Sequence, residues 1–355
     1  MDNKITKSNI NNTGVKIRSI YIESYKMFNN FNINFLDKND KITPIIVIAG
    51  INGSGKTSLL EYIKNFDTSP KFDCEDYIDI YLNGSNTRIK KNSKYKSTRG
   101  IKEFKKSIVY LAVSFNEIEE LKDKIQEYIN ELMFERDYKA SEAYNELQDN
   151  INKIFKEIKL EIKFSGLNKN KEIFFTNSSG KKFSITELST GEMTLLTKVL
   201  YLYLSEIKNQ VILIDEPEMS LHPNWQNSIL ELYEIFSQKN NNQIIIATHS
   251  PHIISGAKSS YIRILELSNS KINVIDDYNQ SYGLEVSRIL TDIMGINSLR
   301  TPSVEKKIKN LKTSIIDNDH LVFNKLIKEL ENDLSDKDTD IKMLKLEMSM
   351  RTNSV

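Results

Sequence analysis

The segment Gly50-Ile51-Asn52-Gly53-Ser54-Gly55-Lys56-Thr57 has the spacing G-x-x-x-x-G-K-[ST]. Its glycines let the backbone wrap closely around phosphate oxygens, so that successive N–H groups point inward. In this pattern Lys56 reaches the β- and γ-phosphates and the Thr57 hydroxyl ligates Mg²⁺. The loop alone does not separate a kinase, a GTPase, a helicase and a cassette ATPase. Val211-Ile212-Leu213-Ile214-Asp215-Glu216 is a buried-type strand ending in two acids. Asp215 can hold Mg²⁺ through water, and Glu216 can take a proton from an attacking water. The run Thr248-His249-Ser250-Pro251 ends another apolar strand, where His249 can donate to a γ-phosphate oxygen. Upstream, Leu188-Ser189-Thr190-Gly191-Glu192 opens a helix, whose Ser189 hydroxyl and free N–H groups near Gly191 form a second phosphate-binding end.

Those residues need elements to carry them. Residues 15–22 and 31–35 alternate as strands, and 42–50 is a short β-branched run leading into the loop and then the helix SLLEYIKNF. Residues 82–106 are polar and basic and read as a surface insertion, followed by a strand at 107–115. No Gly or Pro occurs from 101 to 165, and apolar residues recur there every three or four positions. That pattern predicts a long amphipathic helix or a helical hairpin breaking near Glu135–Lys139, packed on the core or projecting toward a partner. Strands return at 172–176, 182–186, 211–216 and 243–248, with helices at 192–208 and 224–238. Alternation of strands and helices implies a mostly parallel, two-sided sheet. Residues 284–334 read as helical, with a charged, frayed tail beyond them.

Composition narrows the possibilities. The 355 residues carry 49 Lys and Arg against 48 Asp and Glu, a net charge of +1, so a polyanionic partner would need a local patch. The segment 88–106 offers one, with nine basic residues and one acid. It is either a solvated loop or a contact for nucleic acid or protein. Cys74 is the single cysteine, which excludes an intrachain disulfide and suits the cytosol. The polar start and the lack of any run near the roughly 20 apolar residues of a membrane span predict a cytoplasmic protein. Apolar positions from Val304 to Ile315 and from Val322 to Leu334 have helical spacing, for packing on the chain itself or for docking.

Together, GINGSGKT, LSTGE, VILIDEPEMSLHP and IIIATHSP resemble the cassette ATPases of the RecF/Rad50/OLD lineage. The resemblance spans most of residues 15–265, and four ordered motifs make it specific. More weakly, 281–355 is similar to the tail of bacterial anti-phage ATPases of Septu and retron-associated systems. It implies an α/β, ABC-type P-loop NTPase with a mixed sheet, an inserted helical arm and a C-terminal helical segment. The expected organisation is an N-terminal lobe over 1–115, the arm over 116–165, a C-terminal lobe over 166–280 and a dimer- or partner-docking segment over 281–355. The resemblance also implies a homodimer or higher oligomer, in which Ser189 and Gly191 of one copy cap the nucleotide held by the other's Gly50, Asn52, Gly53, Ser54, Gly55, Lys56 and Thr57. Glu216 and His249 would be catalytic, ATP and Mg²⁺ the ligands, and a separately encoded HNH-type nuclease the partner. A DNA-repair ATPase and a non-hydrolysing ATP switch stay open as alternatives. The chain departs from the family in lacking an evident Gln after the strand at Ile108–Phe115, where Asn116 stands instead.

Overall fold

The computed structural model describes residues 14–66, 74–91, 98–111, 117–157, 161–168, 172–205, 207–219, 221, 223–268, 271–276, 281–296 and 298–352. The chain divides after Ile289 into two compact units.

In the first unit the phosphate loop follows β3 (Ile45–Ala49), whose five residues are all buried. Parallel neighbours on one side are β11 (Gln243–Thr248), β10 (Val211–Asp215) and β6 (Ile108–Leu111). On the other side lie β12 (Ile262–Ser268), also parallel, and the antiparallel edge strand β13 (Lys271–Ile275). The six-stranded sheet is thus ordered β13-β12-β3-β11-β10-β6. Every residue of β3, β10 and β11 is buried. This explains why these strands are continuously apolar rather than alternating: both sheet faces are covered. Helix α1 (Lys56–Lys64) leaves the loop and buries Leu59, Leu60 and Ile63 against Ile46, Ile48, Leu213 and Ile245.

The same core continues into a second, antiparallel sheet, ordered β2-β1-β4-β5, from β1 (Val15–Tyr25), β2 (Phe28–Asn34), β4 (Tyr77–Leu82) and β5 (Ser85–Lys90). Here the structure corrects the surface insertion expected over 82–106. Residues Ser85–Lys90 form a paired strand, and α2 (Thr98–Lys106) packs beside it with Phe104 only 1% exposed. Arg88, Lys90, Lys102, Lys105 and Lys106 are exposed, while Ile89 and Phe104 between them are buried.

The helical hairpin is α3 (Glu117–Phe134) and α4 (Ala140–Glu157), broken where the sequence places the break. β6 precedes it, within the strand expected at 107–115. Leu121, Ile125, Ile129 and Leu132 are its buried stripe, and α3 packs on α5 (Thr190–Leu204). Alongside lies a small sheet of β7 (Ile162–Leu167), β8 (Ile173–Asn177) and β9 (Lys182–Ser184). Gln148 donates to Phe164 O (2.8 Å), tying α4 to β7. Helices α6 (Pro223–Asn240) and α7 (Pro251–Gly256) flank β11, and α8 (Val286–Arg288) closes the unit.

The second unit is a three-helix cluster, α9 (Pro302–Ile316), α10 (His320–Leu334) and α11 (Thr339–Thr352). The sequence reading of a frayed tail after 334 is wrong: α11 buries Ile341, Leu344 and Met348 against Leu311, Ile315, Phe323, Ile327 and Leu330. Charge hid the pattern, since only every third or fourth residue of α11 is apolar and inward.

Candidate active site

The loop between β3 and α1 is built on backbone that side chains disfavour. Gly53 and Gly55 have φ of 81° and 93°. At Gly50 a Cβ would lie 2.6 Å from both Leu265 O and Ser54 Oγ, so only glycine lets the chain turn there. Lys56 folds back, and its ammonium donates to the carbonyls of Gly50 (2.9 Å) and Ile51 (3.0 Å). Burial pulls its pKa below the ordinary value, against the opposing pull of Glu216, Glu218 and Asp215. Ser54 is 1% exposed and its buried Oγ has no hydrogen-bond partner. A buried unsatisfied hydroxyl is uncommon; a phosphate oxygen in the loop would satisfy it.

Because β10 lies two strands from β3, with β11 between, the acids and the histidine come to one end of the sheet. Thr57 Oγ1 donates to Asp215 Oδ1 (3.1 Å), joining the two residues expected to hold Mg²⁺. Tyr110 OH donates to Asp215 Oδ2 at 3.5 Å. Burial raises the Asp215 pKa, the neighbouring Glu216 and Glu218 add to this, and the hydrogen bonds from Thr57 and Tyr110 oppose it. The same burial, with Asp215 nearby, pushes Tyr110 up to about 12. Asp215 is only 2% exposed, and its bonded partners are neutral hydroxyls. A divalent cation beside it would supply the missing countercharge.

Glu216 sits at φ 43°, left-handed for a non-glycine residue, and its N–H donates to Ala247 O (2.9 Å). Such strain at a strand end is characteristic of functional turns. Its Oε1 lies 3.1 Å from His249 Nδ1. A cavity of about 320 Å³ gathers Asn52, Gly53, Gly55, Lys56, Thr57, Glu216 and His249, with Met27 and Ser58. Ser189 and Gly191 do not line it. Ser189 is exposed and caps α5 in a reciprocal box: its Oγ accepts from the Glu192 N–H (3.4 Å), and its own N–H donates to Glu192 Oε2 (3.0 Å).

Two residues of this neighbourhood were missed in the sequence reading. Tyr110 is one strand away from its carboxylate, beside Leu213 in register, a relation no spacing reveals. Glu218 belongs to the motif that was recognised, but only the fold shows it buried, at 4% exposure. Asn116, the residue standing where the family has Gln, lies outside the described residues, as do Ser220 and His222. In the basic segment, Arg88 donates to both Asp79 oxygens (2.7 and 2.8 Å) and stacks over Tyr77. Lys91 pairs with Asp76 (3.0 Å).

Parts of this sequence are similar to known proteins. A family model described as "AAA domain, putative AbiEii toxin, Type IV TA system" matches residues 101–255, and a second, "AAA domain", matches 19–66. The Septu protein PtuA of Bacillus thuringiensis is 31% identical over 144 residues, 39% of this chain and 36% of that protein. The Retron Vc95 probable ATPase of Vibrio cholerae is 29% identical over 123 residues, 32% of this chain and 24% of that protein. The matched region therefore spans about a third or less of either relative. Among solved structures, the SMC head domain from Thermotoga maritima aligns with 73% of this chain and 98% of its own, at 18% identity and a TM-score of 0.48. A nucleotide-free ATP-binding cassette from an ABC transporter aligns with 73% of this chain and 89% of its own, at 17% identity and a TM-score of 0.39. With its four ordered motifs and its mixed sheet, the chain has a cassette-type P-loop fold, and over part of its length it is similar in sequence to the Septu protein PtuA and to a probable retron ATPase.

Proposed function

We propose that the chain binds ATP with Mg²⁺ at this loop and hydrolyses it, in sites that a second copy completes. The observation that supports this best is the convergence of Lys56, Thr57, Glu216 and His249 on one cavity, with Asp215 bonded to Thr57 behind them. The loop amides and Lys56 bind the triphosphate, Lys56 exchanging its two carbonyl partners for phosphate oxygens. Thr57 and Asp215 hold the cation, which when bound neutralises charge on the β- and γ-phosphates. Glu216 orients water and accepts its proton. His249 leaves Glu216 and donates to the γ-phosphate, stabilising the charge that develops there. Ser189 and Gly191 act on the nucleotide of the other copy. The exposure of Ser189 in the single chain accords with a group waiting for a ligand it does not itself hold.

The composite site has a direct test. Lys56→Ala removes a copy's own phosphate grip, and Ser189→Arg blocks the helix it offers to its partner. Each variant alone should lose hydrolysis. Mixed, they should regain part of it, because one of the two sites in a mixed dimer is intact. Full activity of Ser189→Arg by itself, or no recovery on mixing, would reject the shared site.

The relatives support a role in anti-phage defence. On this reading, closure around ATP regulates a separately encoded HNH-type nuclease from the cytoplasm, with the segment 281–355 used for docking. Among the described residues no helix is long and apolar enough to cross a membrane. Co-purification with the product of the adjacent gene, followed by mass measurement, tests this; a chain that purifies without any nuclease and hydrolyses ATP only with DNA would favour the repair alternative.

A further inference from the structure

We infer that Glu218 is a positioning residue that fixes His249 against Glu216; this rests on the hydrolytic reading of the site. Glu218 follows β10 in the turn that carries Glu216. Its neighbour Met219 is 45% exposed, whereas Glu218 is 4% exposed. One oxygen, Oε1, accepts from Thr248 Oγ1 (2.5 Å), from the His249 N–H (3.0 Å) and from the Ser250 N–H (3.1 Å). Thr248 Oγ1 also accepts from the Ser250 N–H (2.9 Å), closing the network. The end of β10 is thereby stapled to the end of β11 through a side chain. The two stapled turns carry Glu216 and His249, whose side chains meet at 3.1 Å.

Stability does not account for this arrangement. The second oxygen, Oε2, is buried without a hydrogen bond. A buried carboxylate with one oxygen unsatisfied is costly, and an apolar residue of similar shape would serve packing better. An apolar residue could not hold the two N–H groups, however, and the backbone of His249 would then be free to shift. Glu218 does not line the cavity. Its influence on the reaction passes through His249, whose ring must leave Glu216 for the γ-phosphate while its backbone stays in place. A displacement of about 1 Å at such a group costs on the order of 10²-fold in rate.

The full-length protein carrying Glu218→Ala should therefore bind a non-hydrolysable ATP analogue within about twofold of the unaltered chain. Its kcat should fall by about 10²-fold with KM little changed. Glu218→Gln keeps the accepting oxygen and should restore kcat to within about tenfold. In parallel, hydrogen exchange of the segment containing His249 and Ser250 should accelerate in Glu218→Ala, recover in Glu218→Gln and stay unchanged in Glu216→Gln. The exchange measurement needs no turnover, so it judges the staple even if Glu216→Gln shows that the base is another residue. Unchanged exchange in Glu218→Ala, unchanged kcat, or a loss of analogue binding parallel to the loss of rate would each overturn the assignment.

Discussion

Two regions of this chain are rich in charge, and they use it differently. At the ends of β3, β10 and β11, Lys56 rests on carbonyls rather than on a carboxylate, and Asp215 is met by hydroxyls. In the β4–β5 hairpin, Arg88 is locked onto Asp79 and Lys91 onto Asp76. The sequence marks the second region as the more basic one, with its run of Lys and Arg from 88 to 106. In the folded chain Lys56 and Asp215 are buried with uncharged bonded partners, whereas Arg88 and Lys91 each meet a carboxylate. Buried charge without a partner is costly and survives where a ligand supplies the other half. Charge density in a sequence is therefore a poorer guide to a site than charge left uncompensated by the fold.

The largest effect should come from the first region. Glu216→Gln should retain ATP binding and slow turnover by about 10²–10⁴-fold, the usual worth of a general base. Single-turnover hydrolysis measures it, and near-normal rates would move the base elsewhere. Lys16 tests whether the comparison holds outside the site. Its ammonium donates to the carbonyl of Asn241, and burial lowers its pKa to about 8 from 10.5. The folded value lies below the unfolded one, so between about pH 8 and 10.5 the unfolded chain binds more protons and stability rises with pH. Below pH 8 that contribution is lost. Lys16→Met should therefore stabilise the protein by about 1–3 kcal/mol at pH 7 and give little gain at pH 11. Urea unfolding at the two pH values decides it; an equal effect at both would mean that charge is not the cause. The smallest effect belongs to the paired region. Arg88→Ala should cost about 1 kcal/mol of stability through its lost ion pair and stacking. Nucleic-acid retention and its salt dependence should not change. A fall in salt slope of about one would instead make Arg88 a phosphate contact.

How much was legible follows from the same physics. The loop, both acids and His249 stood out because each ends a buried strand, and a buried strand in a parallel sheet is a continuous apolar run that any reader of β3, β10 or β11 can find. The helical hairpin was legible by period. The strand Ser85–Lys90 was not, because its single buried residue, Ile89, is too little pattern to set against five polar neighbours. Helix α11 was hidden for the same reason, its three buried residues being diluted by charge.

Local sequence determined the chemistry available to this protein: glycines at the positive φ values of a phosphate loop, and acids placed where strands must stop. These follow from short-range sterics and hydrophobic periodicity, which a few adjacent residues contain. Tertiary structure alone decided which residues meet. Tyr110 reaches Asp215 across 105 positions, and Glu218 reaches Ser250 across 32, because strand order brings their ends together. Whether a charge is paired, as in Arg88, or left open, as in Lys56, depends on neighbours that only the closed sheet supplies.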